Sequence, residues 1–280
     1  MKPNRQTISI VILTKNEAND LPGCLDSLAW CEDVHVVDSE SSDSTCEVAS
    51  SRGAKVATHA FQSFGDQRNW SLDNLSFTSE WVLFLDADER STDGFRKEIL
   101  AKVDKASKET AGFFCCWKLM LDEVWLRRSD AFPRWQMRIV RLGRARFRSV
   151  GHGQMESEVD GRLGYVREPY LHYPFSKGMD HWFEKHRRYA KQEAQERLRE
   201  DFVARDLFSS HTSRRNIALK KLVVRMPCWP GLRFFHAYLW RMGFLEGKAG
   251  YRYCRDIARY EAMIVRNFRE LRRNGKFNHG

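Results

Sequence analysis

The sequence predicts an α/β fold followed by a helical, basic region, and two observations support this. Over the first hundred residues, short apolar runs alternate with helical patterns, which is typical of βαβ units around a parallel sheet. From Met179 onward the apolar spacing is helical, and basic residues outnumber acidic ones. We therefore expect an α/β domain over residues 1–175 and a helical, basic region over residues 176–280.

Each predicted strand is a short apolar run, and helical patterns fill the intervals. The first helix has Asn19 or Asp20 available as its N-cap, and Gly53 closes the second helix. The predicted strands are Ile8–Leu13, Val34–Val37, Lys55–His59, Trp81–Leu85, Gly112–Met120, Met137–Val140 and Gly164–Val166. The predicted helices are Leu21–Trp30, Asp43 to Gly53, 66–76, 94–106 and one that begins at Met179.

The composition fits a folded protein with its positive charge at one end. Hydrophobic residues make up 42% and charged residues 30% of the 280-residue chain, which excludes a disordered chain. Residues 1–180 hold 24 Lys and Arg against 27 Asp and Glu, a net of −3, whereas residues 181–280 hold 23 against 10, a net of +13. This asymmetry favours an anionic partner, either nucleic acid or anionic lipid.

The sequence also predicts where the chain resides. The seven cysteines include no C-x-x-C pair, so we expect neither disulfides nor a zinc site. No run approaches the ~18 uncharged apolar residues that span a bilayer, and Ile8–Leu13 is too short for the apolar core of a signal peptide. We expect a cytoplasmic protein that does not cross a membrane but could lie on the inner face of the cytoplasmic membrane.

The most informative motif is Asp86-Ala-Asp88, which directly follows the apolar run Trp81–Leu85. The carboxyl end of a buried strand is where open α/β sheets bind their ligands. Two carboxylates one residue apart can hold Mg²⁺ or Mn²⁺, which proteins usually share with substrate phosphates. The motif predicts a metal–diphosphate site, and a solvated acidic turn is the alternative.

Two further strand ends are polar, namely Thr14–Glu17 and Asp38–Asp43. Because the carboxyl ends of neighbouring parallel strands lie side by side, we expect both segments to line one crevice with Asp86. The absence of a Gly-x-Gly-x-x-Gly loop argues against a dinucleotide site and favours a nucleoside diphosphate held through a metal ion. In the alternative interpretation, Asp38 and Asp43 are only a turn residue and a helix cap.

Together these motifs resemble the family-2 glycosyltransferases of the GT-A fold. The similar segments are Ile10–Glu17, Val36–Thr45, Arg68-Asn69 and Asp86–Asp88, in the family's order and spacing. Later segments resemble the lipopolysaccharide core β-glycosyltransferases within that family, namely Leu85–Arg90, Trp135–Arg141, Leu171–Tyr173 and Met242–Gly250. The resemblance implies a GT-A mixed sheet flanked by helices in a catalytic domain over residues 1–175.

The resemblance further implies an inverting, metal-dependent hexosyltransferase. Its donor would be a nucleotide-sugar, expected to be a UDP-sugar, and its acceptor a lipid-linked or lipopolysaccharide-core glycan. Residues implied to bind the donor are Thr14, Glu17, Asp38, Arg68 and Asp86, with Asp86 and Asp88 holding Mg²⁺ or Mn²⁺.

Inverting transfer needs a general base outside the metal pair, to take the proton of the acceptor hydroxyl. Many relatives carry a His-Glu pair here, whereas three residues separate His152 from Glu156 in this chain. We expect Glu156 to be the base and His152 to orient it or contact the diphosphate. A structural histidine and a surface carboxylate are the alternatives.

Two arginines, Arg138 and Arg141, are expected on one face of a short strand. They could bind acceptor phosphates or the leaving diphosphate, with Arg138 the better candidate because of the resemblance. The alternative is the solvated face of an edge strand.

A helix is predicted near residues 232–245, with an apolar face and basic flanks. It could lie among the headgroups of an anionic membrane or pack on the rest of the protein. The apolar face is Leu232, Phe235, Leu239, Met242 and Leu245, and the flanking residues are Arg233, Arg241 and Lys248.

Two other functions compete with sugar transfer. A sugar-nucleotidyltransferase would also join an α/β sheet to a metal–diphosphate site, but the first strand is not followed by the Gly-rich loop such enzymes usually carry. A nucleic-acid-binding protein would account for the positive charge, but no binding motif accompanies it.

Overall fold

The computed structural model describes residues 7–150, 153–199, 204–208, 215, 218–219 and 222–277. The chain forms two compact units, the first made of Met1–Met120 and Phe132–Ser176 and the second of Leu121–Ala131 and Lys177–Gly280. The boundary between Ser176 and Lys177 lies one residue from the expected one, between residues 175 and 176. No sequence pattern predicts that Leu121–Ala131 belongs with the C-terminal region.

The first unit is built on a mixed sheet whose strands run in the order β3-β2-β1-β4-β8-β6-β11-β5. The strands of the chain are β1 (Ser9–Thr14), β2 (Val34–Asp38), β3 (Lys55–Thr58), β4 (Trp81–Asp86), β5 (Glu89–Arg90), β6 (Thr110–Leu121), β7 (Val124–Trp125), β8 (Gln136–Arg141), β9 (Arg146–Val150), β10 (Gly153–Ser157) and β11 (Arg162–His172). Strands β1, β2, β3 and β4 pair in parallel, β8 is antiparallel to both β4 and β6, and β6 is parallel to β11.

The helices of the chain lie between these strands and after them. They are α1 (Leu21–Ser27), α2 (Thr45–Ser51), α3 (Phe64–Asn74), α4 (Asp93–Asp104), α5 (Met179–Arg199), α6 (Trp229–Phe235) and α7 (Gly247–Phe277). Side-chain caps begin two of them, because Ser63 accepts a hydrogen bond from Asp66 N and Thr92 accepts one from Phe95 N. The expected mixed α/β sheet flanked by helices, with a helical C-terminal region, is therefore confirmed.

The central strands β1 and β4 are buried on both faces, which explains their unbroken apolar sequences. Side chains alternate between two cores. Ile12 and Leu85 pack into one core with Phe95, while Val11 and Phe84 pack into the other. This packing fixes the register of the strand ends that carry the polar motifs.

The edge-strand interpretation of Arg138 and Arg141 is wrong, because β8 lies inside the sheet between β4 and β6. The pairing of β6 with β8 shifts register, since Phe113 is opposite Ile139 and Phe114 opposite Met137. Arg138 is the extra residue of this bulge. Simple alternation would place residues 138 and 141 on opposite faces, but the extra residue brings both guanidinium groups to the same core. There Arg138 lies over the Tyr170 ring and Arg141 over the Trp81 ring.

The second unit has its own core between α5 and α7, formed by Ala190 and Ala194 against Ile264, Val265 and Phe268. The prediction of a single amphipathic helix near residues 232–245 is wrong. Helix α6 is followed by a π-helical turn over His236–Trp240 and a 3₁₀ turn over Gly243–Glu246. None of the helices that the structure describes is long and apolar enough to cross a bilayer.

A close backbone contact accompanies the end of this helical segment. A Cβ atom on Gly250 would lie 2.2 Å from the carbonyl oxygen of Gly243, so only glycine fits there. Met242 precedes this contact in the left-handed region, with φ of 58°. The carboxylate of Glu246 then accepts hydrogen bonds from the backbone N–H of Arg128 and the hydroxyl of Ser129, which ties this turn to the segment Leu121–Ala131.

Candidate functional site

Three polar strand ends lie side by side at one edge of the sheet, as expected. Thr14 at the end of β1 is opposite Asp38 at the end of β2, and Leu13 is opposite Asp86 at the end of β4. The shared parallel register brings these segments together from positions up to 72 residues apart in the sequence.

Asp38 and Thr14 are both buried and bound to each other. The carboxylate of Asp38 accepts hydrogen bonds from Thr14 Oγ1 at 2.7 Å, Ser41 N at 2.7 Å and Ser41 Oγ at 2.6 Å. Burial raises the pKa of Asp38, but these hydrogen bonds outweigh it and hold the pKa below its usual value. An ionised Asp38 therefore fixes the loop after β2 against the end of β1.

Glu17 is half-buried in the neighbouring loop and anchors that loop through its backbone. Its N–H donates to Thr45 Oγ1 at 2.8 Å, and its carbonyl oxygen accepts from Leu21 N at 2.9 Å. Asp43 also belongs to this loop contact, since its carboxylate accepts from Ala18 N and Thr45 N. The Asp43 carboxylate thus links the loop after β1 to the loop after β2. The sequence had predicted for it only a role at the start of the second helix.

The acidic segment after β4 places three carboxylates in different environments. The side chains of Asp86 and Asp88 are 34% and 25% exposed, whereas Glu89 is fully buried. Glu89 Oε2 accepts a hydrogen bond from Asp86 N at 2.8 Å, and Oε1 accepts one from Arg138 at 2.6 Å. Asp86 and Asp88 are thus available to a ligand, while Glu89 holds the turn that presents them.

Arg138 links Glu89 to Asp86, because its second contact is with Asp86 Oδ2 at 3.1 Å. Burial lowers the pKa of this guanidinium, but Glu89, Tyr170 and Asp86 together outweigh burial, and the pKa is raised. Burial raises the pKa of Glu89 to about 7 despite the opposing charge of Arg138. The guanidinium is almost completely buried, so the structure supports a role in positioning Asp86 more directly than contact with substrate.

Arg68 lies beneath the same cluster and is also buried. It donates to the carbonyl oxygen of Met137 at 3.4 Å and lies over the rings of Phe84 and Phe147. Burial and the charge of Arg138 lower its pKa to about 9, while Asp86 acts in the opposite direction. Arg68 is thus a buried positive charge behind the carboxylates, and its implied place near a diphosphate stays a prediction.

His172 joins this site, although sequence reasoning gave it no role. The antiparallel pair of β5 and β11 sets His172 opposite Glu89, and its Nε2 lies 3.4 Å from Asp88 Oδ2. Burial lowers the pKa of His172, but the charge and hydrogen bond of Asp88 outweigh it, and the pKa is raised. The sequence signal was the motif Leu171–Tyr173, in which a histidine follows Leu171 at the end of β11.

The residues present fit a divalent cation in their chemistry. Asp88 and His172 supply carboxylate and imidazole donors 3.4 Å apart, and neighbouring ligands of an octahedral ion lie about 3 Å apart. Among the described residues, no three His, Cys, Asp or Glu side chains are arranged to hold an ion. A bound Mg²⁺ or Mn²⁺ would therefore complete its shell with oxygen atoms of water or substrate, as such ions commonly do.

The predicted base lies on a separate small sheet. Glu156 is half-buried on β10, directly opposite Phe147 of β9, so the two side chains share one face of this pair. Within the described part of the chain, no hydrogen bond or ion pair connects Glu156 to the carboxylates after β4. His152 lies outside the described residues. The assignments of Glu156 and His152 stay predictions.

Comparison with known proteins identifies the family of the chain. The model of glycosyl transferase family 2 matches residues 9–151, which include β1, β2, β4 and the acidic motif. The chain therefore belongs to glycosyltransferase family 2. This confirms the predicted family.

Individual relatives resemble the chain over different lengths. An uncharacterized glycosyltransferase of Rickettsia bellii is 36% identical over 93 residues, which are 33% of this chain and 31% of the relative. The chain thus spans about a third of that relative's length. The lipopolysaccharide core biosynthesis glycosyltransferase LpsC of Rhizobium meliloti is 24% identical over 254 residues, 87% of each chain.

Among solved structures, the chain is similar to glucosyl-3-phosphoglycerate synthase from Mycobacterium tuberculosis, in complex with Mn²⁺, UDP and glucosyl-3-phosphoglycerate. The identity is 22%, the similarity covers 41% of this chain and 44% of that one, and the TM-score is 0.34.

Proposed function

We propose that this chain is an inverting glycosyltransferase that moves a sugar from a nucleotide-sugar donor to a lipid-linked or lipopolysaccharide-core glycan. The observation that carries the proposal is the pair Asp86 and Asp88 at the carboxyl end of β4, partly exposed in a chain of glycosyltransferase family 2. The similarity to LpsC over most of both chains supports the choice of acceptor.

In this proposal the donor lies along the ends of β1, β2 and β4, and a UDP-sugar is expected. Asp86 and Asp88 would hold Mg²⁺ or Mn²⁺ with His172 as an additional ligand. The cation, when bound, would compensate the negative charge of the leaving nucleoside diphosphate. Arg138 and Glu89 position Asp86 through the hydrogen bonds described above.

Glu156 is proposed as the general base. Its carboxylate would take the proton of the acceptor hydroxyl while the hydroxyl oxygen bonds to the anomeric carbon of the sugar. The bond between that carbon and the diphosphate oxygen breaks at the same time, and the nucleoside diphosphate leaves with the electron pair. The helical, basic C-terminal region is proposed to bring the enzyme to the inner face of the cytoplasmic membrane, where a lipid-linked acceptor lies.

The test is a screen of nucleotide-sugars by release of the nucleoside diphosphate, with Mn²⁺ or with EDTA. We expect release that needs the cation and falls at least 10²-fold in Asp88→Asn, since the cation site loses a carboxylate. Glu80→Gln is the matched control, because Glu80 is an exposed carboxylate on the other end of the same strand region. Release that is indifferent to EDTA and to Asp88→Asn would refute the metal role.

A further inference from the structure

The segment from Trp229 to Glu246 is apolar on two opposite sides. On the inner side, Ala237 is buried, and Tyr238 lies 5.7 Å from Tyr251 of α7 between ring centroids. On the outer side, large apolar side chains are exposed. We call these the outer apolar surface, which consists of Leu232, Phe235, Leu239, Trp240 and Leu245.

The exposure of this surface is unusual for side chains of this size. Trp240 is 82% exposed, and the other four are between 47% and 59% exposed. Single exposed hydrophobic residues are normal, but a set of five within 14 residues marks an interaction site.

The backbone conformation of this segment contributes to the exposure of these side chains. The bond from Arg241 N to His236 O, at 2.9 Å, spans five residues and adds one residue to the last turn. Such π-type turns are rare and are often found at functional sites. The chain then reverses at Met242, and Leu245 follows on the 3₁₀ turn. The inner side of the segment thus packs against α7, while the side chains of the outer apolar surface are exposed to solvent.

The charges around this surface decide which partner fits it. Residues 222–252 hold five basic residues, Arg225, Arg233, Arg241, Lys248 and Arg252, against the single acidic residue Glu246, a net of +4. The carboxylate of Glu246 is already bound to Ser129. His236 lies close to two of these charges. Its pKa is lowered by burial and, to a smaller extent, by the positive charges of Arg233 and Arg241. A second copy of the chain would bring like charges together, whereas an anionic surface would be attracted.

We propose that the outer apolar surface inserts into the headgroup region of an anionic lipid bilayer, with Arg233 and Lys248 against the lipid phosphates. Tryptophan and aliphatic side chains beside basic residues are the composition that lies at such an interface. The inference rests on the membrane contact included in the proposed function, and it names the surface and the lipid chemistry. It does not require that the chain transfers a sugar.

The experiment is sedimentation of the full chain with phosphatidylcholine vesicles, with and without phosphatidylglycerol. We expect binding that needs the anionic lipid and weakens with salt. The double variant Leu239→Ser/Trp240→Ser should bind at least about tenfold more weakly, because it removes two inserted side chains. The control is Phe61→Ser, which removes a half-exposed aromatic side chain from the first unit and should bind as the parent does.

Two further arms locate the inserted side chain and separate lipid binding from sugar transfer. Brominated acyl chains should quench the fluorescence of the parent, and Trp240→Phe should bind normally but lose most of that quenching. The variant Asp88→Asn should bind vesicles as the parent does, so a failure of sugar transfer leaves this result untouched. Equal binding of the parent and the double variant, or no binding by the parent, would overturn the proposal. So would a concentration-dependent dimer that the double variant abolishes.

Discussion

Replacing Glu89 by glutamine tests the buried cluster behind the candidate site, because its effect should depend on pH. Glu89 is fully buried, and burial raises its pKa from 4.5 to about 7, although Arg138 opposes this. The difference, 7 − 4.5 = 2.5, corresponds to about 3 kcal/mol at about 1.4 kcal/mol per pH unit.

The sign follows from proton binding. The folded chain keeps the proton of Glu89 to higher pH than the unfolded chain, so this contribution to stability is present below pH 4.5 and is lost as the pH rises through about 7. Glutamine does not titrate. The free energy of unfolding of Glu89→Gln relative to the parent should therefore increase by up to about 3 kcal/mol across this window.

The assay is urea unfolding of both proteins at several pH values, with EDTA present so that no bound cation contributes. Glu80→Gln is again the matched control, since Glu80 is an exposed carboxylate whose partner Arg141 lies at 3.5 Å. Its stability relative to the parent should not change with pH. A relative stability of Glu89→Gln that is constant, or that decreases with pH, would show that the ion pair with Arg138 outweighs burial.

Two further variants test other parts of the structure. Glu156→Gln should lower turnover by roughly 10²- to 10⁴-fold while donor binding is retained, as expected for loss of a general base; near-normal turnover would show that the base lies elsewhere. Gly250→Ala should destabilise the chain by about 1–3 kcal/mol, because its Cβ would lie 2.2 Å from a carbonyl oxygen. In Gly231→Ala, where nothing lies within 4 Å, the change should be neutral or stabilising, and equal effects of the two in thermal unfolding would contradict the contact.

The sequence correctly predicted that the polar ends of β1, β2 and β4 lie side by side, because the signals for these strand ends are local. An apolar run that ends in Asp38 or Asp86 contains both the strand and the polar residue that follows it, and parallel pairing then places these ends together. The position of Glu89 could not be predicted in this way. A carboxylate three residues after a strand suggests an exposed turn, whereas Glu89 is buried with Arg138, 49 residues further on, as its partner.

Features that depend on distant pairing or on close backbone contacts were also missed. His172 comes close to Asp88 through the antiparallel pairing of β5 with the end of β11, and β5 has only two residues, which is too short for periodicity to reveal. The hydrophobic spacing near Leu239 fits a helix, yet the chain changes to a π-helical turn there and reverses at Met242. Helical spacing shows which residues of a segment are apolar, but it does not show which of its sides packs against the rest of the protein.

The segment Leu121–Ala131 has a consequence for how such chains can be divided or recombined. It lies between β6 and β8 in the sequence but belongs to the second unit, so the chain passes from one unit to the other three times. A cut after Ser176 would deprive Ser129 and the backbone of Arg128 of the carboxylate of Glu246. An exchange of C-terminal regions between related chains would therefore have to move two separate pieces of sequence together, and a simple chimera joined at one point would mismatch them.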